Sequence, residues 1–182
     1  GAYLNEWYSG TLNLGTQTNA IATLAGITAG GGFSLTNGST GTTVSANIDT
    51  SAGNGAVNIN TGTYTQNANI DVVSGSGNIT VAADNMVINN NSGNNAFTTS
   101  GELTLKTATV GRGISLNGFE EIDGQLTLQL FEHSAFRTGT TGSVTIGSNE
   151  STGTMNFVAG AGFGYYGSEM NTLNLKAGAF AG

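Results

Sequence analysis

Residues 46–60 read ANIDTSAGNGAVNIN, and residues 68–82 read ANIDVVSGSGNITVA. The two segments open on the same four letters at an offset of 22 residues. Each then passes through a glycine-bearing corner into a second alternating segment. Alternation of apolar and polar residues is the mark of a strand with one face buried, so each copy reads as a strand carrying Ile48 or Ile70 inward, a turn, and a further strand. A matched pair of whole strand–corner–strand units predicts a coil that repeats along an axis.

The rest of the chain carries the same signal in weaker form. Apolar–polar–apolar triplets begin at Leu12, Phe33, Val57, Ile79, Leu103, Leu126, Val144 and Leu173, with spacings of 21, 24, 22, 24, 23, 18 and 29 residues. Gly or Ser turns separate them, and the uneven spacing assigns the variation to loops. No helical period is sustained, and the density of Gly, Thr and Asn opposes helix formation. Gly and Asn suit the corners because they tolerate left-handed backbone, and Asn side chains can pass hydrogen bonds from one coil to the next. The pattern predicts an all-β chain folded as a parallel β-helix, a β-solenoid of roughly eight rungs, with an antiparallel β-sandwich as the alternative. One domain is expected over residues 1–182, with irregular, aromatic-rich end rungs near 1–10 and 157–182.

Composition limits the function. Only 8% of the residues are charged, four Lys and Arg against eleven Asp and Glu, for a net charge of -7. Four cations cannot form the basic stripe that nucleic acid requires, nor a polybasic patch for an anionic membrane surface. No apolar run is long enough for a membrane span, and no nucleic-acid partner is expected. The chain has no Cys, and therefore no disulfide, thiolate metal site or thiol nucleophile.

Two segments, SGSGNITVAADNMVINNN at 74–91 and TSAGNGAVNINTG at 50–62, resemble the repeats of filamentous-haemagglutinin-type exoproteins. Those bacterial adhesins are secreted through a partner outer-membrane pore. The resemblance runs from about Gly10 to Gly124 and implies a right-handed parallel β-helix at the cell surface or outside the cell. The Asn-Pro motifs of that family's secretion domain are absent, because the chain has no Pro, so the resemblance implies a repeat region or a stand-alone relative. It implies a secreted structural role, as an adhesin segment or as the subunit of an extracellular filament or biofilm matrix, with host or surface glycans as partners.

Chemistry-bearing residues are few. The densest charge lies in 119–137, where Glu120, Glu121, Asp123, Glu132, His133 and Arg137 fall together. Carboxylates beside a histidine can serve acid–base work, but a solvated loop around a strand explains the same residues, and no catalytic residue is assigned. The runner-up reading is a β-helix that binds or degrades carbohydrate. Ice binding is a minor alternative raised by the Thr-rich segments, none of which recurs at one place in every coil. Asp49 and Asp71 hold equivalent places in the two matched segments, so stacking at about 4.8 Å would make them Ca²⁺ candidates. Otherwise no cofactor is expected.

The two ends of the chain resemble each other. WYSGTLNLG at 7–15 and YYGSEMNTLNLKAG at 165–178 both place paired aromatics ahead of the letters TLNL. An end rung that looks like the first rung can stack on the first rung of another copy. Trp7, Tyr8, Leu12, Tyr165, Tyr166 and Leu173 are the expected subunit interface of a head-to-tail homo-oligomer, which has no operation that closes it and grows as a filament.

Overall fold

The computed structural model of the protein describes residues 2–89, 96–117, 122–129, 142–157 and 172–181. The chain opens with β1 (Ala2–Tyr8), β2 (Thr11–Leu14), β3 (Ile21–Ala29), β4 (Gly32–Thr36), β5 (Thr42–Val44) and β6 (Ile48–Asp49). It continues through β7 (Val57–Gln66), β8 (Val72–Gly75), β9 (Ile79–Ile88), β10 (Phe97–Thr99) and β11 (Glu102–Lys106). The remaining strands are β12 (Gly113–Asn117), β13 (Gln125–Gln129), β14 (Ser143–Gly147), β15 (Thr154–Phe157), β16 (Thr172–Lys176) and β17 (Ala179–Ala181). Every ladder among the described residues is parallel, which excludes the antiparallel sandwich and gives the parallel β-helix.

Each coil has three faces. The first is the stack β2–β4–β7–β9–β11–β14–β16, in which β7 and β9 contribute their opening residues. The closing residues of β7 bend round a corner onto a second face, where Tyr64 pairs with Thr42 and Met86. On the third face Ile27 is paired with Ile48, Ile48 with Val72, and Val72 with Phe97.

Two aliphatic columns run up the inside of the first face. One is Leu12, Phe33, Val57, Ile79, Leu103, Val144, Leu173, and the other is Leu14, Leu35, Ile59, Val81, Leu105, Ile146, Leu175. Within the body of the stack these side chains are buried. Seven of the eight triplets therefore share this face. The exception is Leu126-Thr127-Leu128, which forms β13 and pairs Leu126 with Ile114 and Leu128 with Leu116 in a second sheet ordered β13–β12–β15–β17. There β13 packs beside β9 without a ladder to it. Among the described residues the first face counts seven strands, and β12 and β13, which fall between β11 and β14 in the chain, both lie in the second sheet. A triplet identifies a half-buried strand but not the face it lies on.

Glycines let the rungs come together at the corner before the first face. Gly31, Gly55, Gly77, Gly101 and Gly142 each meet backbone of the preceding rung, so that a Cβ built there would fall 3.0 Å or less from it. In each case the glycine stands two residues ahead of its column's first apolar residue, as does Gly10 ahead of Leu12. Small hydroxyls line the adjacent corner. Thr50 and Ser74 donate to the carbonyls of Gly55 and Gly77 at 2.6 and 2.5 Å, and Thr99 donates to Gly77 at 2.5 Å. Between coils, the Oδ1 atoms of Asn54 and Asn78 accept from the backbone N–H of Ser76 and Glu102 at 3.0 and 2.9 Å. These are the cross-rung asparagine bonds anticipated from the sequence, and they satisfy edge donors that a corner would otherwise leave open.

Candidate functional site

The terminal rungs are where the stack is incomplete. Among the described residues, β1 pairs only with β3 and β2 only with β4 at one end, while β16 pairs only with β14 and β17 only with β15 at the other. A strand with one partner presents a row of unpaired N–H and C=O groups. The aliphatic columns run out to these edges. Leu12 and Leu14 are half-buried, whereas Phe33 and Leu35 above them are 0% and 1% exposed. At the far end Leu173 is 38% exposed, and Phe180 is 56% exposed although it packs against Phe157 at 6.3 Å between ring centroids. What the body of the helix covers with its next rung, the end rungs leave open along the axis.

The anticipated interface residues divide accordingly. Leu12 and Leu173 hold equivalent inward positions at the two ends of one column. Trp7 is 75% exposed and in register with Thr28, an exposed position, so it stands on the outer surface of the first rung and not in a core column. Tyr8 ends β1, with its backbone in register with Ala29. Tyr165 and Tyr166 lie outside the described residues. On the third face the backbone of Glu6 is in register with that of Ile27. Phe157 and Phe180, absent from the expected interface, supply an aromatic pair at the last rung. Both fall within the aromatic-rich end rung expected near 157–182.

Asp49 and Asp71 are not stacked. Asp49 is in register with Val73, because Ile48 and Val72 pair at an offset of 24 while Val57 and Ile79 pair at 22. The corner Ser51–Gly53 is the longer of the two by that difference, and it absorbs the shift. The Asp49 carboxylate caps this corner, accepting from Ser51 N–H at 2.9 Å and Ser51 Oγ at 2.6 Å. Partial burial raises the Asp71 carboxyl above its ordinary pKa. No cluster of three or more His, Cys, Asp or Glu residues that could hold a metal occurs among the described residues.

Of the charged cluster, Glu120, Glu121, Glu132, His133 and Arg137 lie outside the described residues. Asp123 is exposed at the rim of a pocket of about 260 Å³ that Arg112, Asn85 and Gln125 also line. Arg112 donates from Nη2 to the Gln125 carbonyl at 3.4 Å, while its Nε and the Asn85 Oδ1 are buried without partners. A larger groove, about 390 Å³, crosses five rungs on the outside of the first face from Asn13 through Ser34, Asn58 and Thr80 to Lys106. It has neither the aromatic rings nor the carboxylates expected of a polysaccharide-cleaving cleft. No described helix is long and apolar enough to cross a membrane. No family model matches the chain, and no curated protein or solved structure matches it.

Proposed function

We propose that this protein is a structural β-helix of the cell exterior, an adhesin segment or the subunit of an extracellular or biofilm-matrix filament, whose copies stack head to tail. The observation that carries the reading is the pair of end rungs, open among the described residues, each ending an apolar column that the rest of the helix buries. Exposed large apolar side chains on an unpaired edge mark a contact surface. The resemblance to filamentous-haemagglutinin-type repeats supports the extracellular setting, as does a surface made soluble by Asn, Thr, Ser and Gly in place of charge. In the adhesin form, the groove from Asn13 to Lys106, which holds no carboxylate, offers amides, hydroxyls and one lysine to a surface glycan.

The reading is tested by sedimentation velocity across a wide concentration range. Assemblies that grow with concentration support it, and a monomer at the highest concentration refutes it. The reading assigns no catalysis. A hydrolytic activity on polysaccharide that vanished in Glu121→Ala or His133→Ala would replace it with the carbohydrate-degrading alternative.

A further inference from the structure

We propose that the pocket between β9 and β13 binds a sugar acid, one pyranose unit whose carboxylate meets Arg112. The inference goes beyond the structural role above and holds whether or not copies stack.

The pocket exists because the ladder is interrupted there. The closing residues of β9 pair with β7 on one side, whereas β11 follows β9 only as far as Ala82. Asn85 therefore stands on a stretch of β9 that has no ladder to β13, the strand packed beside it. Arg112, the residue before β12, lines the same space. So does the turn from Ile122 to Gln125, which is closed by a bond from Gln125 N–H to the Ile122 carbonyl at 3.2 Å. Gly124 in that turn has a φ of 76°, and a Cβ there would meet nothing within 4 Å, so nothing crowds that side of the pocket.

The unspent polar groups select the ligand. A guanidinium carries several N–H donors and keeps its charge at any working pH. The Arg112 Nη2 makes a long bond to the Gln125 carbonyl at 3.4 Å, its Nε is buried without a partner, and no carboxylate among the described residues pairs with it. Its complement is a planar anion that takes a pair of N–H groups at once, which a carboxylate does. Asn85 Oδ1 is the opposite orphan, an acceptor buried without a donor. Both side chains are half-buried, and a rotamer adjustment on binding brings these atoms to the ligand. Asp123 adds a further acceptor at the exposed rim. Two acceptors beside one cation require an anion that also donates, as the hydroxyls of a sugar acid do and a simple carboxylate cannot. The Asp123 charge also opposes a second negative charge, which disfavours phosphate dianions and sulfated chains. Ile122 supplies an apolar wall for the C–H face of a ring. The volume of about 260 Å³ is below the range of about 300–1,000 Å³ typical of drug-sized ligands, which limits the occupant to a single ring.

The test titrates wild-type protein with D-glucuronate, D-glucose, acetate and inorganic phosphate, each followed by backbone amide NMR shifts. Glucuronate should saturate, with its largest shifts at Arg112, Gly124 and Gln125. It should bind at least about tenfold more tightly than glucose, which lacks the charge-assisted bonds, or acetate, which lacks the hydroxyls. Arg112→Gln, checked for folding by its thermal melt, should bind glucuronate no better than glucose. Absence of saturable glucuronate binding to the wild type overturns the proposal. So do shifts that fall on Asn58 and Asn60 of the outer groove instead, acetate or phosphate binding as tightly as glucuronate, or a folded Arg112→Gln protein that binds as the wild type does. Should Arg112→Gln fail to fold, the wild-type shift map and ligand ranking decide between the same outcomes. Sedimentation reports on stacking separately, so failure of this site leaves the head-to-tail reading standing.

Discussion

Replacing Gly77 with alanine tests how closely the rungs approach. A Cβ at Gly77 would sit 2.5 Å from the Gly55 carbonyl oxygen and 2.6 Å from that of Asn54, both backbone atoms of the preceding rung. Neither can swing aside as a side chain would. Relief requires the two rungs to part at this corner, against the bond from Val57 N–H to the Asn78 carbonyl at 2.9 Å and the ladder beyond it. Overpacking of this kind costs about 1–3 kcal/mol. The loss of glycine freedom in the unfolded chain returns about 0.4–1 kcal/mol. Gly111→Ala is the matched control: its nearest neighbour is Thr152 Oγ1 at 3.8 Å, so only the unfolded-state gain applies. The two alanine variants should therefore differ by about 2 kcal/mol in urea denaturation, read from midpoints at equal slope. A Gly77→Ala protein as stable as Gly111→Ala would refute the close-packed glycine corner.

Val81→Asp buries a carboxylate between Ile59 and Leu105 at a fully enclosed position and should cost at least about 4–5 kcal/mol. Cooperative unfolding at the wild-type midpoint would contradict the column assignment. Tyr64→Phe removes the hydroxyl that donates to Gln66 Oε1 at 2.7 Å and leaves that buried oxygen unpaired, at about 1–3 kcal/mol in thermal or chemical melts. Burial pushes the Tyr64 phenol far above its ordinary pKa of 10.0, so the folded chain keeps a proton that the unfolded chain gives up. The stability tied to that proton is present in full below pH 10 and is lost as pH rises further, by up to about 1.4 kcal/mol per pH unit. Tyr64→Phe should flatten this alkaline decline, and an unchanged pH slope would show that Tyr64 is not buried as described.

Much of this was legible from residues alone. The triplets at Leu12, Phe33, Val57, Ile79, Leu103, Val144 and Leu173 are one face of the helix because a strand buried on one side must alternate, whatever the loops between do. Leu126 to Leu128 alternates equally well and belongs to another face, since alternation fixes only which side of a strand is buried. Gly124 stands two residues ahead of Leu126 just as Gly77 stands ahead of Ile79. Yet a Cβ there would meet nothing within 4 Å, and that contrast exists only in three dimensions. The Asp49–Asp71 match failed for a similar reason: the ANID letters align at 22 residues, but the turn from Gln66 to Val72 is two residues longer than that from Val44 to Ile48 and moves the pairing to 24, which the Ser51–Gly53 corner then returns to 22. At the candidate site, the equivalence of the two TLNL segments was visible in the sequence. The outward position of Trp7 was not, because the register shift between Leu4 and Glu6 in β1 decides which way the residue faces.

Electron microscopy of the purified protein at increasing concentration tests the central claim most directly. Seven stacked strands on the first face, with β1 a further coil out beside β3, predict unbranched filaments with an axial repeat of about 38 Å per copy. Isolated particles at every concentration, or filaments whose repeat is twice that length, would contradict head-to-tail stacking.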